Sequence, residues 1–285
     1  MILKEIKNIY HKELDALYAK EEVESFFYLL IDHYLQLERF VLVIQPNLTL
    51  TKEEEQPLFE ALSELKLQRP VQYIMGKTTF MDLDFEVNES VLIPRPETED
   101  LVRWILDEAD GRFANKKIKI LDIGTGSGCI AISLAKHLQD AQISAMDISE
   151  NALKTAKKNA ESNSVKVDFS EVDILKSDGF VSGFDIIVSN PPYVRELEKK
   201  EMHKNVLEHE PDLALFVSDE NPLIFYDAIT KFAKQNLSKN GMLFFEINQY
   251  LAKETEALLL QHNFLEIEVR KDMFGNDRMT KALLG

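Results

Sequence analysis

Apolar residues recur at helical spacing through residues 1–70: Ile2, Ile6, Ile9, Tyr10, Leu14 and Leu17, then Phe26, Phe27, Leu30, Tyr34 and Leu37. Thr51 followed by Glu54 is a capping-box signature, opening a third segment that carries Leu58, Phe59, Leu62 and Leu65. These stripes predict a small amino-terminal helical bundle over residues 1–70. Between 71 and 93 the period changes to two, as in Thr79-Phe80-Met81-Asp82-Leu83-Asp84-Phe85-Glu86-Val87, with Gly76 and Asn88 as turn residues. A β-hairpin linker is expected there. Pro94 and Pro96 then exclude helix, and Thr98 is placed to cap a helix bearing Leu101, Val102, Trp104 and Ile105.

From Ile118 onward strands and helices alternate: strand 118–123, helix 129–138, strand 142–146, helix 151–162, then strands 165–169 and 184–189. After an insertion come helix 223–236, an Asn240-Gly241 turn, strand 242–247, helix 251–262, strand 264–270 and an apolar stretch at 279–284. Such alternation predicts an α/β domain over residues 94–285, with a doubly wound, mostly parallel sheet of seven strands. The last two strands lack room for a crossover helix, so they should pair antiparallel.

Composition narrows the class without naming a function. Hydrophobic residues make up 45% of the 285 positions and charged residues 29%, values of an ordered globular protein. A formal charge of −16 disfavours a chain that grips a phosphate backbone unaided. With Cys129 as the single cysteine no intrachain disulfide can form, so the cytoplasm is the expected compartment. The amino terminus lacks the apolar core of a signal peptide, and no apolar run is long enough for a membrane span.

Candidate chemistry collects at predicted strand ends. Leu121-Asp122-Ile123-Gly124-Thr125-Gly126-Ser127-Gly128-Cys129 closes the first strand of the α/β region and opens a helix, and its glycines let a ligand approach the backbone. A dinucleotide fingerprint needs its third glycine at 129, where Cys129 stands. The G-x-G-x-G spacing instead resembles the nucleoside-binding loop of class I methyltransferases that use S-adenosylmethionine. Asp147 ends the next strand, where a carboxylate can accept from both ribose hydroxyls; a solvent-facing helix cap is the other reading. Asp173 is placed to meet an adenine amino group, or merely begins a turn, and Ile174 can pack on the ring. Asn190-Pro191-Pro192-Tyr193 follows a buried-strand pattern. Its Asn190 carbonyl and Pro191 backbone carbonyl would form two acceptors beside a Tyr193 wall, suiting a planar NH2 group, unless the segment is only a strand-terminating turn.

The combined pattern resembles the release factor glutamine-N5 methyltransferase family over nearly the whole chain. The resemblance rests on Arg69–Gly76 (R-P-V-Q-Y-I-M-G), Ile93–Glu99 (I-P-R-P-E-T-E), Leu121–Gly128, Val188–Val194 (V-S-N-P-P-Y-V), His209–Leu215 (H-E-P-D-L-A-L) and Lys271–Arg278 (K-D-M-F-G-N-D-R). Ile174 stands where the family often has an aromatic residue, and His209 where it usually has Phe.

This resemblance implies methylation of the glutamine in the Gly-Gly-Gln tripeptide of class I peptide chain release factors, with S-adenosylmethionine as cofactor and S-adenosylhomocysteine as product. It implies cofactor contacts from Gly124, Thr125, Gly126, Ser127, Gly128, Asp147, Asp173, Ile174 and Asn190, and substrate contacts from Asn190, Pro191, Pro192 and Tyr193. Asn190, Pro191 and Tyr193 would serve the chemistry, with no metal. A monomer, with helices at 1–70 recognising the factor and no direct nucleic-acid contact, is expected. The competing class is a methyltransferase of exocyclic amino groups on adenine or guanine, which would use the same two acceptors. Such an enzyme should show a basic face and a separate recognition segment, and neither is evident.

Overall fold

A computed structural model describes residues 1–113, 116–177 and 183–285. They divide into two compact units, one comprising Met1–Gly76 with His203–His209 and the other Lys77–Met202 with Glu210–Gly285.

The first unit is helical: α1 (Leu3–Leu14), α2 (Lys20–Leu35), α3 (Val41–Ile44), α4 (Lys52–Lys66) and α5 (Val71–Met75). Most of the predicted stripe forms its core, with Ile6, Tyr10, Phe27, Leu30, Leu58, Leu62 and Leu65 buried together; Leu3, outside the stripe, is buried with them, whereas Leu17 is exposed. Tyr10 packs edge-on against Phe27 at 5.4 Å and donates its hydroxyl to the Leu58 carbonyl. The capping box forms as expected: the Glu54 amide donates to Thr51 Oγ1 at 3.3 Å and the Thr51 amide to Glu54 Oε2 at 2.8 Å. Residues 71–75, expected within the hairpin linker, are instead the short helix α5, entered through Pro70 and closed by Gly76 at φ +69°.

The hairpin proper is β1 (Lys77–Phe80) and β2 (Leu83–Glu86), and it belongs to the second unit. Alternation puts Phe80 and Phe85 inward, where they join Trp104 and Ile130 in one apolar cluster. Asn159 fastens β2, accepting from the Glu86 amide at 2.6 Å and donating to the Glu86 carbonyl at 3.0 Å.

The large sheet is separate from this hairpin and consists of β3 (Lys119–Ile123), β4 (Gln142–Asp147), β5 (Asp168–Glu171), β6 (Phe184–Ser189) and, after a short pair β7 (Val194–Arg195) and β8 (Phe216–Val217), β9 (Leu237–Glu246), β10 (Phe264–Lys271) and β11 (Asp277–Leu284). Their order is β10-β11-β9-β6-β3-β4-β5, parallel except for β11, which runs antiparallel to both neighbours. Helices cover both faces: α6 (Pro96–Arg112), α7 (Cys129–His137) and α8 (Glu150–Ser162) on one, α11 (Ile224–Asn236) and α12 (Ala252–Gln261) on the other. In sequence between α8 and α11 come the short helices α9 (Lys204–His209), part of the first unit, and α10 (Asp212–Leu215).

Burial on both faces explains why β3 and β6 read as continuous apolar runs. Besides the strand expected at 165–169, which is β5 at Asp168–Glu171, two sequence expectations shift. Asn240-Gly241 does not end an element: β9 runs from Leu237 with Asn240 at φ +62°, and its register against β6 slips between Phe184 and Ile186, as at a bulge. Helix α6 begins at Pro96, because proline at the first helical position gives up an amide that would be unpaired anyway. Thr98 therefore lies inside the first turn and does not cap it.

Candidate functional site

Strand β4 lies on one side of β3 and β6 on the other, so the chain reverses its direction of travel across the sheet at β3. A crevice opens at such a switch point, beyond the carboxyl ends of the strands. Here it is a cavity of about 330 Å³, lined by Gly124–Ser127 after β3, Asp147 at the end of β4 with Ile148 beyond it, Asp173 and Ile174 after β5, and Ser189 at the end of β6 with Asn190–Pro192 beyond it.

The glycine loop turns tightly because Gly124, Gly126 and Gly128 take φ of +73°, +55° and +85°. A side chain added at Gly124 or Gly126 would meet nothing within 4 Å, so both leave the backbone open to a ligand. Gly128 serves packing instead, since a Cβ there would lie 2.7 Å from Ile132 Cδ1 and 3.2 Å from the Ala156 Cβ. Beneath the loop, the Thr125 hydroxyl donates to Asp122 Oδ2 at 2.6 Å. Burial pushes the Asp122 carboxyl up to about 7. Cys129 is also buried, which raises its thiol to about 12 and makes it unreactive at neutral pH.

Asp147 is held at both oxygens. The Gly126 amide donates to Oδ2 and the Ser149 amide to Oδ1, each at 2.9 Å. Burial lifts its pKa, and those amides offset part of the rise. Each oxygen keeps a further lone pair for a ligand hydroxyl. Asp173 closes its own turn by accepting from the Leu175 amide at 3.0 Å, and its ion pair with Lys176 at 2.8 Å lowers its pKa. It lines the cavity all the same, beside Ile174.

Asn190 opens on the other side of the cavity. Its Nδ2 donates to Thr98 Oγ1 at 3.3 Å, and the Thr98 hydroxyl donates to Glu246 Oε2 at 2.6 Å. The Tyr193 hydroxyl donates to Glu246 Oε1 at 2.9 Å and lies 3.4 Å from Arg278 Nη1. Tyr193, expected as a wall of the site, is not among the residues lining the cavity. Its hydroxyl reaches inward to Glu246, and its ring packs against the apolar cluster around Phe245. Asn248 supports the turn from behind, donating to the Tyr193 carbonyl at 3.0 Å and to Glu198 Oε2 at 2.9 Å.

Sequence reasoning missed Thr98 in this role, along with Glu246, Asn248, Arg278 and Glu210. Glu210 is almost fully buried and accepts from Arg95 Nη2 at 2.6 Å and from the Ile93 amide at 3.3 Å, joining the I-P-R-P segment to the part of the cavity wall formed by Pro211, Leu213 and Ala214. One signal was available for Glu246: an acid at the end of the apolar run Met242–Phe245 has no place in a core unless it is paired. Burial raises its carboxyl, against the pull of Thr98, Tyr193 and Arg278.

Residues 11–76 match the family described as PrmC N-terminal domain, and residues 105–213 match the Methyltransferase small domain. The release factor glutamine methyltransferase of Flavobacterium psychrophilum is 53% identical over 99% of both chains, and that of Bacteroides thetaiotaomicron 42% over 95% of this chain and 96% of its own. Among solved structures, a Pyrococcus furiosus methyltransferase aligns at a TM-score of 0.52 with 17% identity, covering 82% of this chain and all of that one. The Thermus thermophilus 16S rRNA N2 G1207 methyltransferase aligns at 0.51 with 18% identity, covering 73% of this chain and 50% of that one. These two structures speak for the class I methyltransferase fold alone. The full-length identities go further: this chain belongs to the release factor glutamine methyltransferase family.

Proposed function

We propose that the protein methylates the side-chain amide nitrogen of the glutamine in the Gly-Gly-Gln motif of class I release factors, consuming S-adenosylmethionine and releasing S-adenosylhomocysteine. The observation that carries this reading is one cavity bounded by the glycine loop and Asp147 on one side and by Asn190-Pro191-Pro192 on the other. Its residues fit an adenosyl group: open glycine backbone, a carboxylate fixed by two amides for a ribose diol, and the apolar Ile148 and Ile174 for a purine. When bound, S-adenosylmethionine supplies an electrophilic methyl group.

The chain's own residues do the rest. In this reading Asp147 accepts from the ribose hydroxyls, Asp173 accepts from the adenine amino group, and Ile174 packs on the ring. Asn190 Oδ1 and the Pro191 carbonyl accept the two N–H bonds of the substrate amide and aim its nitrogen, a proximity contribution. An amide nitrogen is a poor nucleophile because its lone pair is delocalised. As it becomes positive on forming the new N–C bond, both acceptors bind it more strongly, which favours the transition state over the ground state. The nitrogen then loses one proton to water, so no strong base is required. Tyr193 acts from behind the wall through Glu246, and Pro192 stiffens the turn.

Residues 1–70 serve factor recognition in this reading, and residues 94–285 carry the transfer. A monomer acting in the cytoplasm completes it, and no helix among the described residues is long and apolar enough to cross a membrane. The base-methylating alternative shares the two acceptors but fits poorly with a charge of −16. Incubation with labelled S-adenosylmethionine and an intact release factor, the same factor with its Gly-Gly-Gln glutamine changed, or nucleic acid tests the choice. Label is expected on the intact factor only, and equal label on the changed factor, or label confined to nucleic acid, would overturn the reading.

A further inference from the structure

We propose that Thr98 is a positioning residue that decides which way the Asn190 carboxamide faces, through a relay anchored on Glu246. This rests on the reading that Asn190 presents its oxygen to a substrate amide. A carboxamide has an accepting end and a donating end of nearly equal size, and the two differ by a half-turn about one bond. Turned the wrong way, Asn190 would offer N–H groups to a substrate NH2 and repel what it should hold. Something must distinguish the ends.

Thr98 supplies the distinction because its hydroxyl has a single proton. That proton is directed to Glu246 Oε2 at 2.6 Å, so the remaining lone pairs of Oγ1 can only accept. They accept from Asn190 Nδ2 at 3.3 Å, which leaves Oδ1 as the end turned toward a substrate. Glu246 enforces the direction. When ionised, as the neighbouring Arg278 favours, its carboxylate only accepts, taking Thr98 at one oxygen and Tyr193 at the other. Arg278 in turn stands 3.4 Å from the Tyr193 hydroxyl and donates to it, so the Tyr193 proton points to Glu246. The guanidinium is itself held by Asp272 Oδ2 at 3.2 Å. Thr98 and Glu246 are both almost fully buried, so water does not compete for the relay.

The test compares Thr98→Val, which keeps the shape and removes the hydroxyl, with Thr98→Ser, which keeps the hydroxyl. With a release factor as substrate, Thr98→Val should lower kcat about tenfold while KM for the factor and affinity for S-adenosylmethionine stay within about twofold. Thr98→Ser should recover to within about threefold of the unsubstituted protein. If the valine variant does not fold, Thr98→Ala carries the same expectation, and cofactor affinity reports folding in each case. Unchanged kcat in the valine variant, or a serine variant as slow as the valine one, would overturn the positioning role while leaving the proposed function standing. Failure of the unsubstituted protein to label glutamine would overturn both.

Discussion

The two sides of the cavity are built in different ways. On the glycine-loop side the contacts are local in sequence: Thr125 bonds Asp122 three residues back, Ser149 bonds Asp147 two residues back, and Gly126 reaches Asp147 across 21 positions. Most of the donors are backbone amides, placed by a strand end, a tight turn and a helix start. On the Asn190 side every decisive contact is a side chain meeting another from far away. Asn190 and Thr98 are 92 residues apart, Thr98 and Glu246 148, and Tyr193 and Arg278 85. A ligand site made of backbone survives many side-chain changes. One made of a relay fails wherever the relay is cut.

That contrast can be broken by experiment. The largest effect is expected at Asn190→Ala, where kcat should fall by about 10²–10³ while affinity for S-adenosylmethionine stays within about threefold. Steady-state kinetics on a release factor with calorimetry for the cofactor measures both, and near-normal turnover would remove Asn190 from the chemistry. Asp147→Ala should do the reverse. Losing a charged acceptor weakens cofactor binding about 10- to 100-fold, with kcat at saturation largely kept; a fall in kcat at unchanged affinity would place Asp147 on the wrong side of the comparison.

The smallest effect on turnover is expected at Asp122, whose contribution is to stability. Its folded pKa of about 7 lies above the reference value of 3.8, so the stability attached to that proton is complete below about pH 3.8 and is lost as pH rises through about 7. Asp122→Asn keeps an acceptor for Thr125 without the charge. Its advantage over the unsubstituted protein should be greatest at pH 8 and shrink as pH falls toward 5, by about 1.4 kcal/mol per pH unit below pH 7 at most. Denaturant melts across that range check it, and a gap independent of pH would mean that Asp122 is not the titrating group.

The same local-versus-distant division explains what could be read in advance. Helices α1, α2 and α4 and the alternation from β3 onward were legible because burial of one face or both imposes a period on the chain. The antiparallel end of the sheet was legible because the peptide between β10 and β11 is too short for a crossover. Helix α5 was not, since five residues are too few to display a period. The bond from the Tyr193 hydroxyl to Glu246 was not legible either, because a motif fixes the place of a residue in the chain and not the direction of its side chain.

By itself the sequence determined the fold class, the glycine loop, the acid after β4 and the acceptor turn after β6, all of which follow from patterns within about twenty residues. Tertiary structure alone decided that Thr98, Glu246 and Arg278 stand behind Asn190, and that Glu210 ties the I-P-R-P segment to the cavity wall. The physical reason is that a buried polar group must find a partner wherever the packed chain brings one, and no spacing rule records a meeting between residues 85 to 148 positions apart.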